Sequence, residues 1–100
     1  MRAAERKVST DMSGIVKRAV AGTLESSDVF VEIEPGDSGI EVEIESVVLA
    51  QFGDAIRAAA LDVLKKQNVS DARVRLTDRG ALDCVIRARV ETAVARAKGE

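Results

Sequence analysis

The chain has 100 residues, 46% of them hydrophobic and 32% charged, a balance that suits one soluble domain with a modest core and excludes a disordered chain. Two aromatic residues, Phe30 and Phe52, leave almost no stacking surface for single-stranded nucleic acid, and there is no histidine. The net charge of −2 hides a segregation: residues 1–21 hold five basic and two acidic residues, residues 22–54 hold nine acidic and no Lys or Arg, and residues 55–100 hold ten basic and six acidic. The acidic middle excludes general binding to a phosphate backbone through that half.

Residues 1–20 show no clean period and read as a flexible N-terminal arm, with a short docking helix as the rival reading, and residues 21–100 form the domain. Ala21 to Ser27 reads as a lead-in loop, rich in turn-tolerant residues. From Asp28 the period becomes two, with Val29, Val31 and Ile33 on one face and Phe30, Glu32 and Glu34 on the other. Pro35-Gly36-Asp37-Ser38-Gly39 is dense turn chemistry. Ile40, Val42 and Ile44 then alternate with Glu41, Glu43 and Glu45, which predicts a β-hairpin over residues 28–45.

Ser46 is the expected N-cap of a helix over 47–66, whose stripe is Val48, Phe52, Ala55, Ile56, Ala59 and Val63. Lys65, Lys66 and Asn68 suit its C-terminus. Ala72, Val74 and Leu76 alternate with Arg73 and Arg75, a third strand over 72–77. After the turn Asp78-Arg79-Gly80, residues 81–97 carry Leu82, Val85, Ile86, Val90, Ala93 and Val94 at helical spacing. The predicted fold is α+β in the order ββαβα, a three-stranded sheet packed on one face by two helices. Glu32, Glu34, Glu41, Glu43 and Glu45 then share the outer face with Arg73 and Arg75, either as a solvated face or as a docking surface for basic partners.

The chemistry available is narrow. Ser26 and Ser27 precede the first predicted strand, but no histidine can activate them, and residues 19–56 contain no Lys or Arg. A self-sufficient hydrolase is therefore not expected, and no catalytic residue is assigned. No metal site is expected: one cysteine and carboxylates alternating along strands do not close around an ion, and Glu25 with Asp28 is a weak pair. "GTLESSD" leads into a strand, not the helix a phosphate-binding loop needs. Cys84 reads as a small core residue of the second helix. A single cysteine cannot form an internal disulfide, and no apolar run reaches about 18 residues or resembles a secretory signal, so a cytoplasmic, non-membrane protein is expected. What remains is a serine on an acidic exposed segment that another enzyme could modify.

Three blocks in order, "AVAGTLESSDVFVEIEP", "QFGDAIRAAALDVL" and "DRGALDCVIRARVETAVARA", resemble the acyl carrier (gamma) subunit of citrate lyase over about residues 19–97. The resemblance implies a carrier without catalytic activity of its own. Ser26 would hold a phosphoribosyl-dephospho-coenzyme A group through a phosphodiester, attached by a prosthetic-group transferase. The group's terminal thiol would bear an acetyl thioester, which the alpha subunit exchanges for citryl and the beta subunit regenerates on releasing oxaloacetate. Family members usually have glycine directly after the modified serine. Ser27 stands there in this chain and competes with Ser26 as the attachment point. The rival expectations are the carrier of malonate decarboxylase and a small α+β interaction module whose serines carry nothing.

Overall fold

The computed structural model describes residues 14–99. Its elements are β1 (Ala19–Gly22), β2 (Val29–Pro35), β3 (Ile40–Ser46), α1 (Leu49–Lys66), β4 (Ala72–Asp78) and α2 (Asp83–Ala97). The fold is α+β as expected, but among the described residues the sheet has four strands in the order β1-β2-β4-β3. The chain order is therefore βββαβα, not ββαβα.

The extra strand corrects the lead-in loop expected at Ala21. The sequence Ala19-Val20-Ala21-Gly22 is too short and too small-sided to show a clear alternation. Small side chains are what the site requires, because Ala21 is buried in the core that α2 helps to build. Of the expected arm, residues 1–13 lie outside the described residues. Ile15 is buried, and the N–H groups of Val16 and Lys17 both donate to the Ala97 carbonyl, at 2.9 and 3.2 Å. They satisfy an acceptor that the end of α2 would otherwise leave open.

The expected hairpin does not form. β2 and β3 are separated by β4, which runs antiparallel to β2 and parallel to β3. Charge explains the insertion. Pairing β2 with β3 directly would set glutamate opposite glutamate, a destabilising cross-strand arrangement. With β4 between them, Arg73 stands opposite Glu34 on one side and Glu41 on the other, and Arg75 stands between Glu32 and Glu43. The 36–39 segment consequently spans a strand, a width of about 10 Å. Gly39 N–H donates to the Asp71 carboxylate at 2.7 Å, and Ala72 N–H donates to the Gly39 carbonyl at 3.1 Å. Gly36 passes so close that a Cβ there would lie 2.9 Å from Ala72 N.

The inward rows are Val29, Val31 and Ile33 of β2 and Ala72, Val74 and Leu76 of β4, all at 2% exposure or less. Ile56, Ala59, Ala60, Val63 and Leu64 of α1 and Ile86, Val90, Ala93, Val94 and Ala97 of α2 complete the core. α1 ends in a left-handed cap: Asn68 has φ 61°, its N–H donates to Lys65 O at 3.0 Å, and Val69 N–H donates to Leu64 O at 3.0 Å. The other end departs from expectation. Ser46 is the last residue of β3, and α1 starts only at Leu49. Phe52 and Ala55, expected in the buried stripe, are both exposed, Phe52 at 51%, and border an open groove.

Candidate functional site

At the end of the sheet where β2 begins and β4 stops, residues 23–28 form the connection between β1 and β2. Asp28 N–H donates to the Glu25 carbonyl at 3.2 Å, closing a four-residue turn with Ser26 and Ser27 at its tip. Both serines are exposed. Among the described residues, neither hydroxyl makes a hydrogen bond. Ser27 has φ 65°, so the third residue of this turn sits in the left-handed region that favours glycine. This accounts physically for the glycine that the resemblance leads one to expect after the modified serine. Position 27 meets a backbone demand, whereas position 26 is free to present a side chain.

The turn is tied down on several sides. Ser27 N–H donates to the Arg79 carbonyl at 2.8 Å, and Arg79 N–H donates to the Asp28 carbonyl at 2.9 Å. The Asp28 carboxylate accepts four further hydrogen bonds. Thr23 Oγ1 donates at 2.7 Å, Val29 N–H at 2.8 Å, and Arg89 grips both oxygens through Nε and Nη2 at 3.0 Å each. Arg89, followed by Thr23, holds the Asp28 carboxyl down at about 2, against an ordinary 3.8. Glu25 N–H donates to Thr23 Oγ1 at 3.2 Å. Gly22 is indispensable to this packing, since at φ 90° a Cβ would lie 1.9 Å from Val29 O and 3.3 Å from Arg89 Cδ.

Arg79 belongs to the β4–α2 loop, which a second carboxylate organises. Asp78, 2% exposed, accepts from Ser46 Oγ at 2.7 Å, Ala81 N–H at 2.9 Å and Gly80 N–H at 3.2 Å. The Ser46 oxygen also accepts from Val48 N–H at 3.0 Å, so it orders the approach to α1 without being its N-cap. The Asp-Arg-Gly turn was legible in the sequence, but the burial of its aspartate was not. Beyond this loop lies an open apolar groove of about 340 Å³, bordered by Val48, Phe52, Ile56, Ala81, Leu82 and Ile86.

Glu25 and Asp28 do flank the serines, but Arg89, Thr23 and Val29 already occupy the Asp28 oxygens. Cys84 is exposed, which corrects the core role expected of it: the buried stripe of α2 runs through Ile86, Val90, Ala93 and Ala97 and leaves position 84 outside. On the outer sheet face Arg18 pairs with Glu32 at 2.7 Å, while Arg75 lies 3.6 and 3.9 Å from Glu45 and Glu43. No helix among the described residues is long and apolar enough to cross a membrane.

The family model for acyl carrier proteins described as malonate decarboxylase delta subunit (MdcD) matches residues 16–97. The citrate lyase acyl carrier protein of Edwardsiella ictaluri is 57% identical over 81 residues, spanning 79% of this chain and 82% of that protein. The chain belongs to the citrate lyase acyl carrier protein family. The Escherichia fergusonii acyl carrier of the same name is 56% identical over 84 residues, covering 83% of this chain and 87% of its own. A chain of the Pseudomonas malonate decarboxylase hetero-tetramer, solved in complex with malonate, has the same fold. Its TM-score is 0.73 at 22% identity, over 84% of this chain and 87% of that one. The match to the family model begins and ends close to Ile15 and Ala97, the first and last core residues among the described residues of this acyl carrier.

Proposed function

We propose that this acyl carrier serves a citrate lyase complex, with Ser26 as the covalent anchor of a phosphoribosyl-dephospho-coenzyme A group. The observation that carries the assignment is the tied turn, which exposes the Ser26 hydroxyl at its tip and gives position 27 the left-handed backbone of a glycine. The residues fit such a group. The hydroxyl has no competing hydrogen bond among the described residues, and the backbone around it is held independently of it. When bound, the group supplies a thiol that holds the acyl unit as a thioester. The proton that Ser26 gives up on modification passes to a base of the transferase in this reading, since among the described residues no side chain of this chain is hydrogen-bonded to the hydroxyl.

In this reading the carrier performs no chemistry itself. The alpha subunit exchanges the acyl unit, the beta subunit cleaves the citryl thioester to oxaloacetate, and tethering keeps that thioester concentrated near both sites. The identities of 57% and 56% to citrate lyase carriers favour citrate lyase over malonate decarboxylase, whose matching chain is only 22% identical. A reducing, cytoplasmic setting belongs to the same reading, since the lone Cys84 is exposed.

The test is peptide mass mapping after treatment with the prosthetic-group transferase, followed by a citrate-cleavage assay of the assembled complex. Ser26→Ala should stay folded, remain unmodified and yield an inactive complex, whereas Ser27→Gly should be modified and active. Label on Ser27 would overturn the residue assignment. An unmodified wild-type carrier that still supports cleavage would overturn the carrier mechanism. Modification without citrate cleavage, together with support of malonate decarboxylation, would move the protein to the other complex.

A further inference from the structure

The contacts around the serine turn come from distant parts of the chain. Four features unrelated to the strand and helix patterns converge on it: Gly22, Thr23, Asp28 and Arg89. Arg89 crosses 61 positions of sequence to grip Asp28 with both arms of its guanidinium. Gly22 clears the path of its side chain. The Asp28 side chain is only 13% exposed, so its charge is held in place and not merely screened by water. Yet the turn contributes little to the core, since its residues are exposed apart from the half-buried Asp28. What the contacts fix is the backbone that carries two adjacent exposed hydroxyls.

We propose that Arg89 and Asp28 are positioning residues, which hold the 25–28 turn so that the prosthetic-group transferase meets Ser26 and not Ser27. This rests on the assignment of Ser26 as the anchor. The physical argument is pre-organisation. A modifying enzyme must align one hydroxyl with its donor, and a turn already held in shape spares it the ordering of a loop. The left-handed backbone at Ser27 sets the second serine apart from the first. That conformation is unfavourable for serine and persists only while the surroundings impose it. Without the clamp, Ser27 relaxes to an ordinary backbone, and its hydroxyl can sample the place of its neighbour's.

The experiment compares full-length wild type, Arg89→Gln, Arg89→Lys and the neutral pair Asp28→Asn plus Arg89→Gln, each checked for folding by circular dichroism. Arg87→Gln, altered at a site turned away from the serine turn, is the control. Initial modification rates give kcat/KM, mass mapping gives the ratio of label on Ser26 to label on Ser27, and hydrogen exchange follows the Ser27 and Asp28 amides. For Arg89→Gln, kcat/KM should fall about tenfold or more. Label should spread onto Ser27, and both amides should exchange faster. Arg89→Lys, which keeps the charge but loses the fork, should lie between wild type and Arg89→Gln, and Arg87→Gln should match wild type. If Arg89→Gln does not fold, the neutral pair, which leaves no unpaired charge, takes its place in every comparison. A folded clamp variant with wild-type kcat/KM and label confined to Ser26 would overturn the proposal, as would an equal loss in Arg87→Gln. A wild-type chain labelled at neither serine would instead overturn the anchor assignment beneath it.

Discussion

Arg87 and Arg89 lie two positions apart on α2 and both grip aspartates, yet they hold different things. Arg87 reaches Asp62 of α1 at 2.6 Å and Asp83 of its own helix at 2.7 Å, and Lys66 shares Asp62 at 3.1 Å. Arg89 reaches Asp28 at 3.0 Å. The shorter contacts are the weaker anchor. Asp62 and Asp83 are 39% and 64% exposed, so water and salt screen their attraction, whereas Asp28 is 13% exposed and gripped on both oxygens. The worth of an ion pair follows the burial and hydrogen bonding of its carboxylate more than the distance between its atoms.

The sharpest way to break this contrast is at Gly22. Gly22→Ala puts a methyl group against the Val29 carbonyl and the stem of Arg89, in a backbone conformation that alanine resists. It should cost about 3 kcal/mol or more, or prevent folding, as read by urea unfolding. Next comes Asp28→Asn, with an expected cost of about 1–2 kcal/mol at pH 7, allowing for partial screening. The pH dependence has a definite sign. The folded Asp28 carboxyl titrates at about 2 and the unfolded one near 3.8, so its contribution is present above the unfolded value and is lost as pH falls through 2. Wild type and Asp28→Asn should therefore converge in stability as the pH falls to about 2. A gap that persisted there would assign the loss to geometry and not to charge. The smallest effect is expected at Asp62, whose carboxyl Arg87 and Lys66 also hold below its ordinary value. Asp62→Asn should shift the melting temperature least of the three, and the shift should vanish in high salt.

Much of the layout was legible in the sequence because burial imposes periodicity. β2, β4 and the buried stripes of both helices follow the apolar pattern except at Phe52, Ala55 and Leu82, which are exposed near the helix starts, and the predicted bounds of the helices differ from those observed by two residues or fewer at each end. What was not legible is pairing. Nothing local in "EPGDSGIE" distinguishes a loop that closes a hairpin from one that spans a strand; the distinction lies in Arg73 and Arg75, more than thirty positions away. β1 escaped because Ala-Val-Ala-Gly carries too little apolar mass to announce a strand. The site divides the same way. The serines stood out through what the chain lacks, and resemblance gave them a role. Arg89, in contrast, looks like any other charge on an amphipathic helix until the fold brings it to Asp28.

The strand order also determines what the sheet shows at its two borders. One border is β1, only four residues long, and the other is β3, where Glu41, Glu43 and Glu45 alternate with half-buried Ile40, Val42 and Ile44. Arg57 caps the Val42 carbonyl at 2.9 Å. A short border and an acidic, partly capped one are poor templates for adding a foreign strand. Among the described residues, the open sheet thus offers little free backbone at either border for a second copy to pair with.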